Sequence, residues 1–129
     1  MFADRADAGR RLADRLVTEG VAADVVLGIP RGALPVASPV ADRLGAPLDV
    51  VVASKIGAPN NPEFAIGAVA SNGATWRNED AITRLGVSDA YVDREREAEM
   101  QAAREKTERY RGTPEPPALA GKRVVVVDD

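Results

Sequence analysis

Residues 122–129 read Lys-Arg-Val-Val-Val-Val-Asp-Asp, and this run constrains the fold more than any other stretch. Four consecutive β-branched side chains suit a strand covered on both faces, as in a parallel sheet packed between helices. Asp128 and Asp129 then fall at the carboxyl end of that strand, where open α/β sheets bind ligands. A metal ion or sugar hydroxyls are natural partners for such a pair; carboxylates fraying in solvent are the bland alternative.

Upstream, helix and strand signals alternate. Ala8, Leu12, Ala13, Leu16 and Val17 recur at helical spacing, with Gly20 just past the helix end. Val25 to Ile29 reads as strand one. A turn at Pro30, Arg31 and Gly32 leads into an apolar helix through Val36, Ala37, Val40, Ala41 and Leu44, closed by Gly45. Pro39 either kinks this helix or follows Ser38 as its first residue; the second reading is preferred. Strand two is expected from Leu48 to Ala53. Such βαβ beginnings build parallel sheets with right-handed crossovers.

The middle breaks the rhythm. Ala58 to Pro62 reads as a loop. Phe64 to Ser71, Asn72-Gly73 and Ala74 to Arg77 predict a β-hairpin with a type I′ turn. A flap over 58–78 is therefore expected within one domain spanning 1–129. Ser88 can cap a long helix running to about Tyr110. Its 93–111 stretch holds six acidic and six basic residues, in pairs such as Arg104 with Glu108 and Glu105 with Arg109. Tyr91, Ala98, Ala102 and Tyr110 are its expected buried stripe. Thr113 to Gly121, with three prolines, reads as a linker into the last strand.

Composition removes several chemistries. The chain has no His and no Cys, so disulfides, thiolate metal sites, Cys nucleophiles, a Ser-His-Asp triad and a His general base all drop out. Absence of Cys suits the cytoplasm. Seventeen basic against twenty acidic residues give a net charge of −3, with no bulk basic field for nucleic acid. No apolar run approaches the roughly 20 residues that span a membrane.

Four features can carry chemistry. Gly28-Ile-Pro-Arg-Gly-Ala33 is a glycine turn between strand and helix, where backbone amides can approach a phosphate and Arg31 can hold two of its oxygens. Lys55, followed by Ile56-Gly57, is expected at the carboxyl end of strand two, facing the same crevice as Arg31. The hairpin is a candidate lid. Asp128 and Asp129 complete the set, so Arg31, Gly32, Lys55 and the acid pair are expected along one edge of one sheet.

Three segments together resemble the type I phosphoribosyltransferases: Val25-Val-Leu-Gly-Ile-Pro-Arg-Gly-Ala-Leu-Pro-Val-Ala37, Lys55-Ile-Gly-Ala-Pro-Asn-Asn-Pro-Glu-Phe-Ala-Ile-Gly-Ala-Val69 and Val124-Val-Val-Val-Asp-Asp129. The likeness runs from about Asp4 to the end. It implies a partial doubly wound parallel α/β sheet with a β-hairpin flap, stopping after its third core strand. Pro30, Arg31 and Gly32 would form the pyrophosphate loop, often with a cis peptide. Lys55 would reach the diphosphate, and Asp128 and Asp129 would hold the ribose hydroxyls. No catalytic residue is singled out.

The implied reaction belongs to nucleotide metabolism. Ribose 5-phosphate passes from phosphoribosyl diphosphate to a nitrogenous base, with Mg²⁺ accompanying the substrate. Stabilising the leaving diphosphate needs no protein nucleophile, so a chain without His or Cys loses nothing. In that family a Gly/Thr-rich loop for the 5′-phosphate follows the acid pair. It would lie beyond Asp129, so the 129 residues resemble an amino-terminal part and are expected to be incomplete or inactive alone. Exposed sheet edges would be compatible with a homodimer. Two alternatives stay open: a regulatory or interaction domain on the same scaffold, and a dinucleotide-binding module. The latter lacks a full Gly-x-Gly-x-x-Gly and offers Ser54 and Lys55 where an acid belongs.

Overall fold

A computed structural model describes residues 2–129. In chain order the elements are α1 (Arg5–Thr18), β1 (Val25–Gly28), α2 (Leu34–Leu44), β2 (Leu48–Val50), β3 (Ala53–Ala58), β4 (Asn61–Ala70), β5 (Thr75–Arg77), α3 (Glu79–Leu85), α4 (Asp89–Arg111) and β6 (Val124–Val127). They fall into two compact units, Met1–Val51 with Pro117–Asp129, and Val52–Pro116.

The first unit is the expected α/β layer. Its sheet has the order β2-β1-β6, parallel throughout, with Val26 opposite both Leu48 and Val125. The central strand β1 is buried along its whole length. Ala13 of α1 and Val36, Ala37, Val40 and Ala41 of α2 pack with Val26 and Val127 into one core. Apolar surface removed from water stabilises by about 25 cal/mol per Å². Gly9 makes this layer close-packed: a Cβ there would fall on the Val36 carbonyl oxygen and 2.9 Å from Pro39 Cγ. At the amino end of the sheet, Asp24 ties β6 to β1. Its carboxylate accepts from Arg123 N at 2.7 Å and Nη2 at 3.1 Å. Those bonds hold the Asp24 carboxyl down at about 2.

Three details of this unit differ from expectation. Val17 is 40% exposed, so it lies off the buried stripe of α1. Helix α2 starts after Ala33 and contains Pro39, so Ser38 is not its cap. The lost N–H is tolerated because burial of the flanking Val36, Ala37, Val40 and Ala41 holds the helix. Strand β6 is an edge of its three-stranded sheet, and only its Val125 and Val127 face reaches the core. Val126 is 56% exposed. Its four valines are therefore not covered on both faces among the described residues.

The second unit is an antiparallel sheet, β3-β4-β5, with α3 and α4. The segment expected as a flap, 58–78, lies inside it. Far from being loosely attached, β4 supplies core: Ile66 and Val69 are buried, and Ile66 packs with Ile56, Ala58, Ala81, Ile82 and Val92. The expected loop at Ala58 to Pro62 shrinks to Pro59 and Asn60, because Ala58 already pairs with Asn61. The register then shifts beside Gly57, where a Cβ would strike the Pro62 backbone.

The hairpin at Asn72-Gly73 exists, but its turn is not type I′. That type needs positive φ at both central residues, and only Gly73, at +90°, has it. Gly73 N donates to Ala70 O and Ala70 N to Ala74 O, the bonding of a three-residue loop with a glycine bulge. Asn72 instead accepts from Ala74 N at 3.0 Å.

Ser88 caps α4 as expected, accepting from Tyr91 N at 3.1 Å. The buried residues of α4 are Val92, Ala103 and Thr107; Ala98, Ala102 and Tyr110 are exposed. The sheet chose a face that residue type alone did not mark. Arg96 donates to Gly73 O and Thr75 Oγ1, both at 2.7 Å, and Arg104 to Ser71 O. Two α4 arginines thereby hold the hairpin turn.

Candidate active site

The glycine turn and the acid pair meet at the carboxyl ends of neighbouring strands. Strand β1 ends at Gly28, whose missing side chain leaves room for Leu34 Cδ2, 2.8 Å from a notional Cβ. Ile29 N donates to Val127 O at 3.2 Å, carrying the ladder one step past both strands. The Pro30–Arg31 peptide is cis, as the family resemblance implied for this turn. Arg31 is exposed. Leu34 N then donates to Arg31 O and α2 begins.

Gly32 is where the two elements touch. A Cβ on it would fall on the Asp129 carboxylate, 2.9 Å from Cγ and 3.3 Å from Arg5 Nη2. Arg5 itself donates to Asp129 Oδ2 at 3.2 Å, and Asp129 N donates to Asp128 Oδ1 at 2.8 Å. Beside these groups lies a cavity of about 530 Å³, with Phe2, Ala8, Leu12 and Val36 on its apolar wall and Arg5 and the aspartates at its rim. Backbone N–H groups and a guanidinium at this turn can bind an anion, and the carboxylates can accept from hydroxyls.

Sequence reasoning missed Arg5. Its only local signal is a cation at the first position of a helix, which the helix dipole disfavours. Nothing within a few residues points to a partner 124 positions away.

Lys55 is not on this sheet. The chain leaves the parallel ladder after Val50, and Lys55 lies in β3 opposite Ala68 of the antiparallel sheet. Strand two is thus shorter than the expected Leu48 to Ala53, because Val51 and Val52 form the passage between sheets. Lys55 Nζ donates to the Glu63 carbonyl and carboxylate, both at 3.3 Å. It lines a polar cavity of about 500 Å³ with Ser54, Tyr91, Glu95, Glu99 and Lys106. Tyr91 donates to Gly57 O at 2.8 Å, and its burial pushes the phenol above its ordinary range. Among the described residues no group of three His, Cys, Asp or Glu is placed to hold a metal ion. No helix among them is long and apolar enough to cross a membrane.

The phosphoribosyl transferase domain family matches residues 3–129. The chain belongs to that family. A "Putative phosphoribosyl transferase" of Mycobacterium tuberculosis, found in strains CDC 1551 / Oshkosh and ATCC 25618 / H37Rv, is 41% identical over all 129 residues. The chain spans 29% of the length of these relatives. The crystal structure of TT1426 from Thermus thermophilus superposes with a TM-score of 0.83 at 45% identity, covering all of this chain and 61% of that one. Membership in the phosphoribosyl transferase family accounts for the parallel sheet and the hairpin sheet together, and it displaces the dinucleotide-binding alternative.

Proposed function

We propose that the chain supplies the diphosphate- and ribose-binding part of an enzyme that transfers ribose 5-phosphate from phosphoribosyl diphosphate to a nitrogenous base. In that reaction the bond from the anomeric carbon to the diphosphate oxygen breaks, diphosphate leaves, and the base nitrogen bonds the same carbon. Positive charge builds on the sugar and negative charge on the leaving group. Arg31 and the Gly32 amide are assigned to the diphosphate, where pre-oriented donors stabilise developing charge. Asp128 and Asp129 are assigned to the ribose hydroxyls. Mg²⁺ enters with the diphosphate as part of the substrate. Lys55 lies in the second unit with its Nζ engaged by Glu63, and only the family resemblance connects it with a diphosphate.

One observation carries this reading: the Asp129 carboxylate rests on Gly32 of the anion turn, at adjacent strand ends. Hydroxyl acceptors and anion donors then lie side by side, as a sugar diphosphate requires.

The test is an amide chemical-shift titration of the chain with phosphoribosyl diphosphate and Mg²⁺. Saturable shifts at Arg31, Gly32, Asp128 and Asp129, reproduced in part by diphosphate alone, are expected. Millimolar ligand that leaves those four amides unmoved would refute the assignment.

A further inference from the structure

Helix α1 opens with a charge that its own electrostatics disfavour. Arg5 is its first residue, where free N–H groups already carry partial positive charge. Capping is done by Asp4, whose side chain accepts from Asp7 N at 2.7 Å. Arg5 instead directs its guanidinium out of the helix, to within 3.2 Å of Asp129 Oδ2. The two side chains are 61% and 41% exposed, so their ion pair contributes little to folding. Its consequence lies in the site.

We infer that Arg5 is a positioning residue for Asp129. It fixes one carboxylate oxygen beside Gly32 and leaves the other to accept from a ligand hydroxyl. The inference rests on the reading of Asp128 and Asp129 as sugar-hydroxyl acceptors. There is an electrostatic reason for such a residue. Asp4, Asp128 and Asp129 place three carboxylates around one cavity, and a sugar diphosphate is itself anionic. Like charges brought together oppose binding. Arg5 offsets one of them at the oxygen that the ligand does not need.

The experiment uses Arg5→Ala, Arg5→Lys, Asp129→Asn and the double variant Arg5→Ala/Asp129→Asn. Arg10→Ala serves as control, since Arg10 is on the same helix and 62% exposed. Without ligand, Arg5→Ala should move the Gly32 and Asp129 amide resonances, and Arg10→Ala should not. Unmoved resonances overturn the inference whatever the site binds.

With phosphoribosyl diphosphate and Mg²⁺, Arg5→Ala should weaken binding about three- to fivefold, and Arg5→Lys should recover part of it. In the Asp129→Asn background the same change should cost less than about twofold, because residues acting through one contact are non-additive. An undiminished loss in that background would show Arg5 acting directly on the anion and would also overturn the inference. If the unchanged chain binds no sugar diphosphate, the functional reading fails, and the ligand-free resonances still decide the role of Arg5.

Discussion

Changing Gly32 to Ala should separate binding from folding. The new methyl falls on the Asp129 carboxylate, 2.9 Å from Cγ and 3.3 Å from Arg5 Nη2. Both obstacles are ends of exposed side chains, so they can swing aside without moving backbone. Gly32 is not among the glycines with positive φ, so alanine meets no backbone penalty there. The fold loses an exposed ion pair worth about 0.2–1 kcal/mol. It gains about 0.4–1 kcal/mol from a less flexible unfolded chain. Net stability should stay within about 1 kcal/mol of the parent, a Tm change below about 5 °C. On the proposed assignment of Asp129 to a sugar hydroxyl, binding fares differently, because the displaced carboxylate would lose its place beside Gly32. One charge-assisted hydrogen bond is worth about 1.5–3 kcal/mol, or roughly a ten- to 150-fold weaker dissociation constant. Thermal unfolding followed by circular dichroism, with the shift titration on the same sample, reads both quantities. A Tm fall well beyond 5 °C would show the contact to be rigid core. Unaltered sugar-diphosphate affinity would show that the seat of Asp129 on Gly32 has no part in binding.

The other expectations concern separate contacts. Arg31→Ala should weaken diphosphate binding by about 1.5–3 kcal/mol, the value of a charge-assisted hydrogen bond; an unchanged titration would remove Arg31 from the anion site. Gly9→Ala should destabilise the first unit, since the added methyl meets the Val36 backbone carbonyl. Overpacking of about 1–3 kcal/mol outweighs a helix-propensity gain of about 1 kcal/mol, so a raised Tm would contradict the close approach of α1 and α2. Arg123 holds the Asp24 carboxyl at about 2, so the pair's contribution is present above the ordinary carboxyl range and lost as pH falls toward that value. Asp24→Asn should therefore flatten the acid limb of stability between about pH 4 and pH 2, and an identical limb would show that the pair does not pin β6. Arg96→Ala should speed hydrogen exchange at Ala70 and Gly73 while the Ile66 to Val69 amides stay protected; uniform exchange across β4 would mean that the arginine does not hold the turn.

Signals that act over a few residues were legible in the chain. Ser88 caps the long helix α4, Gly45 closes α2 with a left-handed residue, and four valines make a strand. Each depends on backbone bonds or dihedrals within one turn, so the residues themselves carry it. The same holds for the Gly28–Ala33 turn and for the family motifs, which place Arg31, Gly32, Asp128 and Asp129 at strand ends.

Tertiary structure decided whatever depends on a distant partner. Lys55 follows an apolar run that could have continued the parallel sheet, yet the ten-residue strand β4 pairs antiparallel with it and its neighbours to form a second sheet. Pro39 looked like a helix start, but packing against α1 keeps α2 helical on both sides of it. The buried face of α4 is set by the sheet beneath it, which selects Val92, Ala103 and Thr107 from a helix with charge nearly all round. Arg5 finds Asp129 only because β6 lies in register beside β1. Dihedral preferences and caps are properties of short segments, and sequence determines them. Pairing across 124 positions is selected by the burial that the whole fold achieves, and no local pattern contains it.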